Sequence, residues 1–282
     1  LTSIAIVTDS TSYIPEEELQ QLDSVFIVPL QVIYGSEAYR EGDNFSEADF
    51  YEKLRKTDSL PTTSQPPVGE FVELFERLSE QYDRAIAIHL SSGISGTCQG
   101  AMTASRMVED FPVDVIDSQI TVYAMGFMVV EAAKMAKEGK SHEEILARIN
   151  YIKENSTTYF LVDDLDFLYR GGRLSAAAMM LGTMLKIKPI LTFENGKIVP
   201  YQKVRTRGKA KSGIMELFEA EAQKGKPMRC SIVQADVREE AEEWKKYIEE
   251  KYPHVDVSVS HFGPVIATHV GNGAMGLTWY YL

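Results

Sequence analysis

Short apolar runs alternate with longer mixed segments through the first half of the chain. Ser3 to Thr8 is a β-type run that ends in Asp9-Ser10-Thr11-Ser12, and Pro15-Glu16-Glu17-Glu18 then opens a helical pattern. The unit recurs: Val25 to Ile33 reads as a strand, Ser46 to Lys56 as a helix with an acidic start, and Val68 to Glu80 as a further helix. Ala85 to Leu90 is a buried-type strand that runs through Ser91-Ser92-Gly93-Ile94-Ser95-Gly96-Thr97 into an Ala/Met-rich helix reaching Val108. Val113 to Ile116 predicts the next strand, closed by Asp117-Ser118, and Ile120 to Lys137 a long helix. Strands alternating with helices in this way predict an α/β fold, a mostly parallel sheet with helices on both faces.

After the helix predicted over Ser141 to Glu154 the texture changes. Thr157 to Val162 and Pro189 to Phe193 read as strands, and Glu194-Asn195-Gly196-Lys197 is a hairpin signal before Ile198 to Gln202. Met228 to Gln234, an acidic amphipathic helix from Glu239 to Lys251, and the alternating Val255 to Val259 add strand, helix and strand. Gly263 to Gly273 reads as a strand-like run ending in glycines. These patterns predict an N-terminal α/β domain over 1–154 and a smaller α+β domain over 155–282.

Composition removes several classes of function. At 44% hydrophobic and 25% charged residues the chain has globular balance, so disorder and a disulfide-stapled fold are excluded. Lys plus Arg number 29 against 41 Asp plus Glu, a net charge of −12, which disfavours a general nucleic-acid binder. Cys98 and Cys230 have no metal-ligand spacing, and the five histidines form no H-E-x-x-H motif, so neither metal nor cofactor is expected. The longest strongly apolar stretch, Ala124 to Val130, stops at Glu131, far short of a membrane span, and no basic-then-apolar leader opens the sequence, so a cytoplasmic protein without membrane insertion is expected.

The candidate chemistry lies in small-polar loops after apolar strands: Asp9-Ser10, Thr62-Thr63-Ser64-Gln65, Ser91 to Thr97, and Asp117-Ser118. Loops at the carboxyl ends of parallel strands line the crevice where ligands bind. The glycines of Ser91 to Thr97 allow close backbone approach, and the free N–H groups of the helix that follows suit a phosphate or carboxylate. Helix capping and turn formation account equally well for any one of these hydroxyls. Basic residues also cluster in this acidic chain: Arg170-Gly171-Gly172-Arg173, Lys186, Lys188, Lys203, Arg205, Arg207, Lys209 and Lys211. A solvated surface explains them by spacing alone, and an acidic partner or phosphate is the sharper reading. Met179, Met180 and Met184 suit core packing or an adaptable apolar pocket. Gly271-Asn272-Gly273-Ala274-Met275-Gly276 satisfies G-x-G-x-x-G but leaves no room for the rest of a dinucleotide unit. Gly93-Ile94-Ser95-Gly96-Thr97 approximates a nucleophile elbow with Thr97 in place of the last glycine, so a serine hydrolase using Ser95 and His269 stays as an alternative.

Taken in order, Ile6 to Thr11, Pro61 to Pro66, Leu90 to Thr97, Val115 to Ser118, Leu168 to Ser175 and Ile266 to Gly271 make a set that resembles the DegV-like fatty-acid-binding proteins. The best-understood members of that family are the binding subunits of the bacterial fatty-acid kinase. The resemblance spans nearly the whole chain and implies an N-terminal α/β domain and a smaller C-terminal domain with a fatty acid between them. It further implies that Thr63, Ser95, Gly96 and His269 receive the fatty-acid carboxylate. Arg170, Arg173 and Arg205 would meet the ATP-binding kinase subunit or the growing phosphate as the acid becomes an acyl phosphate. On this resemblance the protein is a lipid-binding carrier and co-substrate rather than an enzyme, and a lipid sensor without a kinase partner is the related alternative. The sequence departs from the family pattern at Pro67, Cys98 and Asn272, none of which is an implied carboxylate contact.

Overall fold

The computed structural model describes residues 2–43, 45–56, 60–174 and 187–282. Met179, Met180, Met184 and Lys186 lie outside the described residues. By their contacts the residues form two compact units, Leu1–Ser46 with Thr63–Glu154, and Glu47–Thr62 with Asn155–Leu282.

The first unit is built on a four-stranded sheet of order β2-β1-β6-β7, from β1 (Ile4–Asp9), β2 (Val25–Val28), β6 (Arg84–His89) and β7 (Val113–Asp117). All its pairings are parallel, with Ile6 opposite both Val25 and Ile86, and His89 opposite Asp117. Side chains alternate across this sheet as its period of two requires. Ala5, Val7, Ala85 and Ala87 face helices α3 (Val68–Ser79) and α4 (Thr97–Ser105), where Phe71, Phe75, Leu78, Ala101 and Ala104 complete a core. Ile4, Ile6, Ile86 and Ile88 point the other way and are buried, and α5 (Val122–Lys137) packs on β1 and β6. The expected α/β class, a parallel sheet with helices on both faces, is therefore the observed one.

The run Val25 to Ile33 is not one strand. Pro29 interrupts it, and proline can donate no ladder hydrogen bond. Beyond it β3 (Gln31–Tyr34) joins β4 (Glu37–Arg40) and β5 (Thr62–Ser64) in a separate small sheet of order β4-β3-β5.

The second unit carries a six-stranded sheet of order β10-β9-β8-β13-β11-β12. Its strands are β8 (Thr157–Leu161), β9 (Ile190–Glu194), β10 (Lys197–Gln202), β11 (Met228–Gln234), β12 (Val255–His261) and β13 (Met275–Tyr281). Among its described strands only β11 and β12 pair in parallel, so this half is α+β in character. Asn195 and Gly196, with φ of 50° and 75°, make the two-residue turn between β9 and β10 that the Asn-Gly pair predicts. Helices α8 (Arg207–Ala222) and α9 (Arg238–Lys251) cover the sheet with Ile214, Phe218, Trp244 and Ile248 against Cys230, Ile232, Leu277 and Trp279.

Two placements differ from the sequence reading. Helix α2 (Glu47–Lys56), read as part of the N-terminal domain, belongs to the second unit. It is held there by Tyr51 Oη, which donates to Phe262 O at 3.1 Å, and by Arg55, 2.8 Å from Asp236. The run Gly263 to Gly273, read as strand-like, contains helix α10 (Pro264–Val270) instead. Gly263 caps it, Pro264 sits in its first turn, and all seven of its residues are buried, so no amphipathic period marked it as helical. No described helix is long and apolar enough to cross a membrane.

Candidate functional site

In the first unit the segments Asp9-Ser10, Ser91 to Thr97 and Asp117-Ser118 lie at the carboxyl edge of the parallel sheet, where strand order reverses between β1 and β6, whereas Thr62–Ser64, read as a loop after an apolar strand, is strand β5 of the small sheet and follows α2. The point of reversal is the usual ligand crevice of such sheets. The Ser91–Gly96 loop leads from β6 into α4, with Ser95 N bonded to Ser91 O at 3.1 Å and Gly96 as the N-cap. Ser95 Oγ accepts Thr97 N at 3.3 Å and lies 2.9 Å from Thr97 Oγ1. Either hydroxyl can donate in that contact, and in the orientation where Thr97 donates Ser95 keeps its own proton for a ligand oxygen. Among the described residues Ser95 makes no hydrogen bond to an imidazole.

Thr63 stands in β5, two residues before Gln65, whose side chain crosses the start of α4. A Cβ at Gly96 would lie 2.0 Å from Gln65 Oε1, so the absence of a side chain at 96 is what admits Gln65 there. Gln65, two residues beyond Thr63, is thereby brought against Gly96, the residue after Ser95. Backbone strain marks the same edge: Tyr13, Gln119 and Val122 have φ of 39°, 58° and 54°, the last in a β-branched residue that rarely adopts it.

A second cluster lies in the second unit. His269 is on α10, which packs against α7 (Leu165–Arg170). Its ring passes over Gly171, where an added Cβ would stand 2.3 Å from His269 Nδ1 and 3.0 Å from Phe167 O. Burial, reinforced by the charge of Arg173, pushes the His269 pKa down to about 3, so the ring is neutral near pH 7. Arg173 donates to Gly171 O at 2.5 Å, and burial lowers its own pKa. Arg170 points elsewhere, 3.0 Å from Asp166, and Arg205 is exposed.

The remaining predicted cations divide. Arg207 bonds Asp163 at 2.7 Å and Gly273 O and shares Glu240 with Lys211, while Lys203 and Lys209 are exposed. The glycines of the G-x-G-x-x-G match are structural. Gly271 ends α10 with φ of 71° beneath the Phe167 ring, and Gly273, φ 78°, leaves space for Asp163 Oδ2. Cys98 and Cys230 are buried free thiols with burial-raised pKa values. Among the described residues no group of three or more His, Cys, Asp or Glu side chains could hold a metal ion. Sequence reasoning gave His89 no role, although it is fully buried against Asp9. Its only signal was a histidine closing an apolar strand.

A parallel α/β sheet unit and an antiparallel-rich sheet unit in one chain, with a Ser/Gly loop leading into a helix at the carboxyl edge of the first, define the class of fold. The chain belongs to the DegV family: the family described as Uncharacterised protein, DegV family, matches over residues 3–282. It is 49% identical over 281 residues to a DegV domain-containing protein of Halalkalibacterium halodurans, covering 99% of each chain, and 48% identical to Protein DegV of Bacillus subtilis over 99% of each. Among solved structures, DegV of Bacillus subtilis, a fatty acid binding protein, superposes with a TM-score of 0.95 at 47% identity over 100% of both chains. A fatty-acid-binding DegV family protein from Thermus thermophilus gives 0.90 at 32% identity, covering 99% of this chain and 100% of its own. A stearic acid-binding protein from Eubacterium ventriosum gives 0.87 at 25%, covering 99% and 98%.

Proposed function

We propose that this chain binds a long-chain fatty acid and presents its carboxylate to a separate ATP-binding kinase subunit, which converts it to an acyl phosphate. The observation that carries the first part is full-length likeness to solved fatty-acid-binding proteins, together with an anion-suited loop in the same chain. Thr63 and Ser95 supply hydroxyl donors, Gly96 and the first turn of α4 supply N–H groups and a helix dipole, and neutral His269 supplies one ring N–H. Such donors replace the water a carboxylate loses on burial. The acyl chain supplies most of the affinity, at about 0.8 kcal/mol per buried CH₂ before the costs of ordering and association.

The kinase part rests on the resemblance and on cations that no ligand contact requires. Arg170 and Arg205 are exposed, and Arg173 lies beside the histidine that would hold the carboxylate. In that place a guanidinium offsets charge that grows as the phosphoryl group arrives. The chain is a carrier and co-substrate in this reading, and a lipid sensor would differ only in whom those arginines meet.

Organic extraction and mass spectrometry of the purified protein should yield a stoichiometric fatty acid. Ser95→Ala and His269→Ala should each weaken stearate binding by about tenfold, the loss of one hydrogen bond to a charged group. Unchanged affinity in both variants would remove the proposed site, and covalent capture of Ser95 by a fluorophosphonate would favour a hydrolase. Arg205→Ala should retain lipid and lose phosphorylation by a fatty-acid kinase, and equal phosphorylation would remove that assignment.

A further inference from the structure

Beneath the polar loops lies a side-chain pair that the proposed carboxylate contacts leave unused. Asp9 and His89 close the adjacent strands β1 and β6, and both are fully buried. Asp9 Oδ2 stands 3.0 Å from His89 Nδ1 and accepts Leu90 N at 3.0 Å. Its other oxygen accepts Thr11 N at 3.1 Å and Thr11 Oγ1 at 2.6 Å. Thr11 Oγ1 in turn accepts Thr121 Oγ1 at 3.1 Å. Around His89 the backbone continues the chain of bonds, with Ser118 N on His89 O at 3.1 Å and Ser91 N on Ile120 O at 2.8 Å. The carboxylate thus joins the loops that follow β1 and β6, and the Thr121 and backbone bonds extend the network to the loop that follows β7.

The ring reaches a fourth element. Its edge-to-face contact with Phe71, 5.2 Å between centroids, lies on α3, the helix entered from Thr63-Ser64-Gln65. Asp9 accepts from Leu90 N and twice from Thr11, so the pairing places the donor of the 3.0 Å contact on His89 Nδ1, and Nε2 is left buried with no hydrogen-bond partner. A buried ring nitrogen without a partner is destabilising, and an apolar ring would fill the same space against Phe71 without that cost. What the apolar ring could not supply is the Nδ1–H donor to Asp9.

We infer that Asp9 and His89 are a positioning pair for carboxylate recognition: they hold the Ser91–Thr97 loop, and with it Ser95 Oγ and the first-turn amides of α4, in register with the Thr63 segment. The inference rests on the fatty-acid reading above. Buried networks whose carboxylate has its donors in place fix geometry, and a small displacement of donors is enough to lose selectivity for a charged group.

The test compares the affinities of the intact chain for stearate and for its methyl ester. The wild type should prefer the acid by about tenfold or more. No preference in the wild type would sink the fatty-acid carboxylate reading itself, and this inference with it. Given that preference, Asp9→Asn and His89→Leu should bring the two ligands to within about threefold of each other, whereas general damage to the fold would weaken both and leave their ratio intact. His89→Asn, whose amide can replace the Nδ1–H donor, should restore the ratio. A preserved ratio in His89→Leu, or a His89→Asn variant as unselective as His89→Leu, overturns the inference. Should the substitutions prevent folding, ¹⁵N NMR of the wild-type ring decides: protonation at Nδ1 is required, and the opposite tautomer refutes the pair as described.

Discussion

At Gly171 and Gly96 one hydrogen atom stands where other residues carry a side chain, and the two substitutions to alanine have different consequences. A methyl group at 171 meets the His269 ring and the Phe167 carbonyl, both fixed by their surroundings. A methyl at 96 meets the end of the exposed Gln65 side chain, which can swing into water. Gly171→Ala must therefore shift the imidazole or the α7 backbone, and its cost falls on His269 first. We expect Gly171→Ala to weaken stearate binding by about tenfold or more and Gly96→Ala to change it by less than about threefold, since Gly96 keeps its N–H in either residue. Titration of both purified variants with stearate checks this. Equal affinity of Gly171→Ala and wild type would show that the position of His269 is immaterial to binding.

Among the elements, α8 shows how local chemistry and tertiary packing divide the work. Thr206 caps it, its hydroxyl accepting Lys209 N at 3.3 Å from a β-region backbone, and Ala210, Ile214, Phe218 and Ala222 form the stripe that enters the core of the second unit. Thr206→Ala should cost about 1 kcal/mol of unfolding free energy, read as a lower denaturant midpoint with an unchanged slope. A midpoint equal to that of the wild type would mean that packing alone sets the start of this helix. The cap is present in the sequence, yet the helix is not legible there, because its first turns, with Arg207, Lys209 and Lys211, read as a charged patch. Strands and helices with a strong period, such as β6, α3 and the Asn-Gly hairpin, were legible. The buried helix α10 and strand β13 were not, because an element surrounded by core shows no alternation. In the candidate site, Ser95 and Gly96 were readable as a hydroxyl and a glycine after a strand and His269 as a histidine in a glycine-ended run, whereas Thr63, read as part of a loop, stands in β5, and the carboxylate role of all four came through the resemblance. The Asp9–His89 pair needed the register of β1 on β6, which no single-segment pattern contains.

For the whole molecule, the buried neutral His269 makes stability depend on pH in a definable window. Its folded pKa of about 3 lies below the ordinary value of 6.5, so between those limits the unfolded chain binds more protons than the folded one. Stability therefore rises with pH through this window, is fully present above it, and is lost as pH falls. From pH 7 to pH 5 the delipidated protein should lose about 2 kcal/mol through this one group. His269→Gln, which cannot titrate, should lose that much less over the same interval, and the difference between the two chains isolates the histidine from every other titrating group. A fatty acid bound with its carboxylate against the ring changes the result. The added negative charge favours the imidazolium, raises the folded pKa and removes part of the difference between folded and unfolded states. The saturated wild type should accordingly gain stability at pH 7 through ligand binding to the folded state, and it should also lose less of its stability on acidification than the lipid-free chain. Chemical denaturation at pH 5, 6 and 7, with and without saturating stearate, measures both effects. A ligand-induced gain that is the same at every pH would place the carboxylate away from His269, while a gain that grows as pH falls puts the ring and the acid in contact.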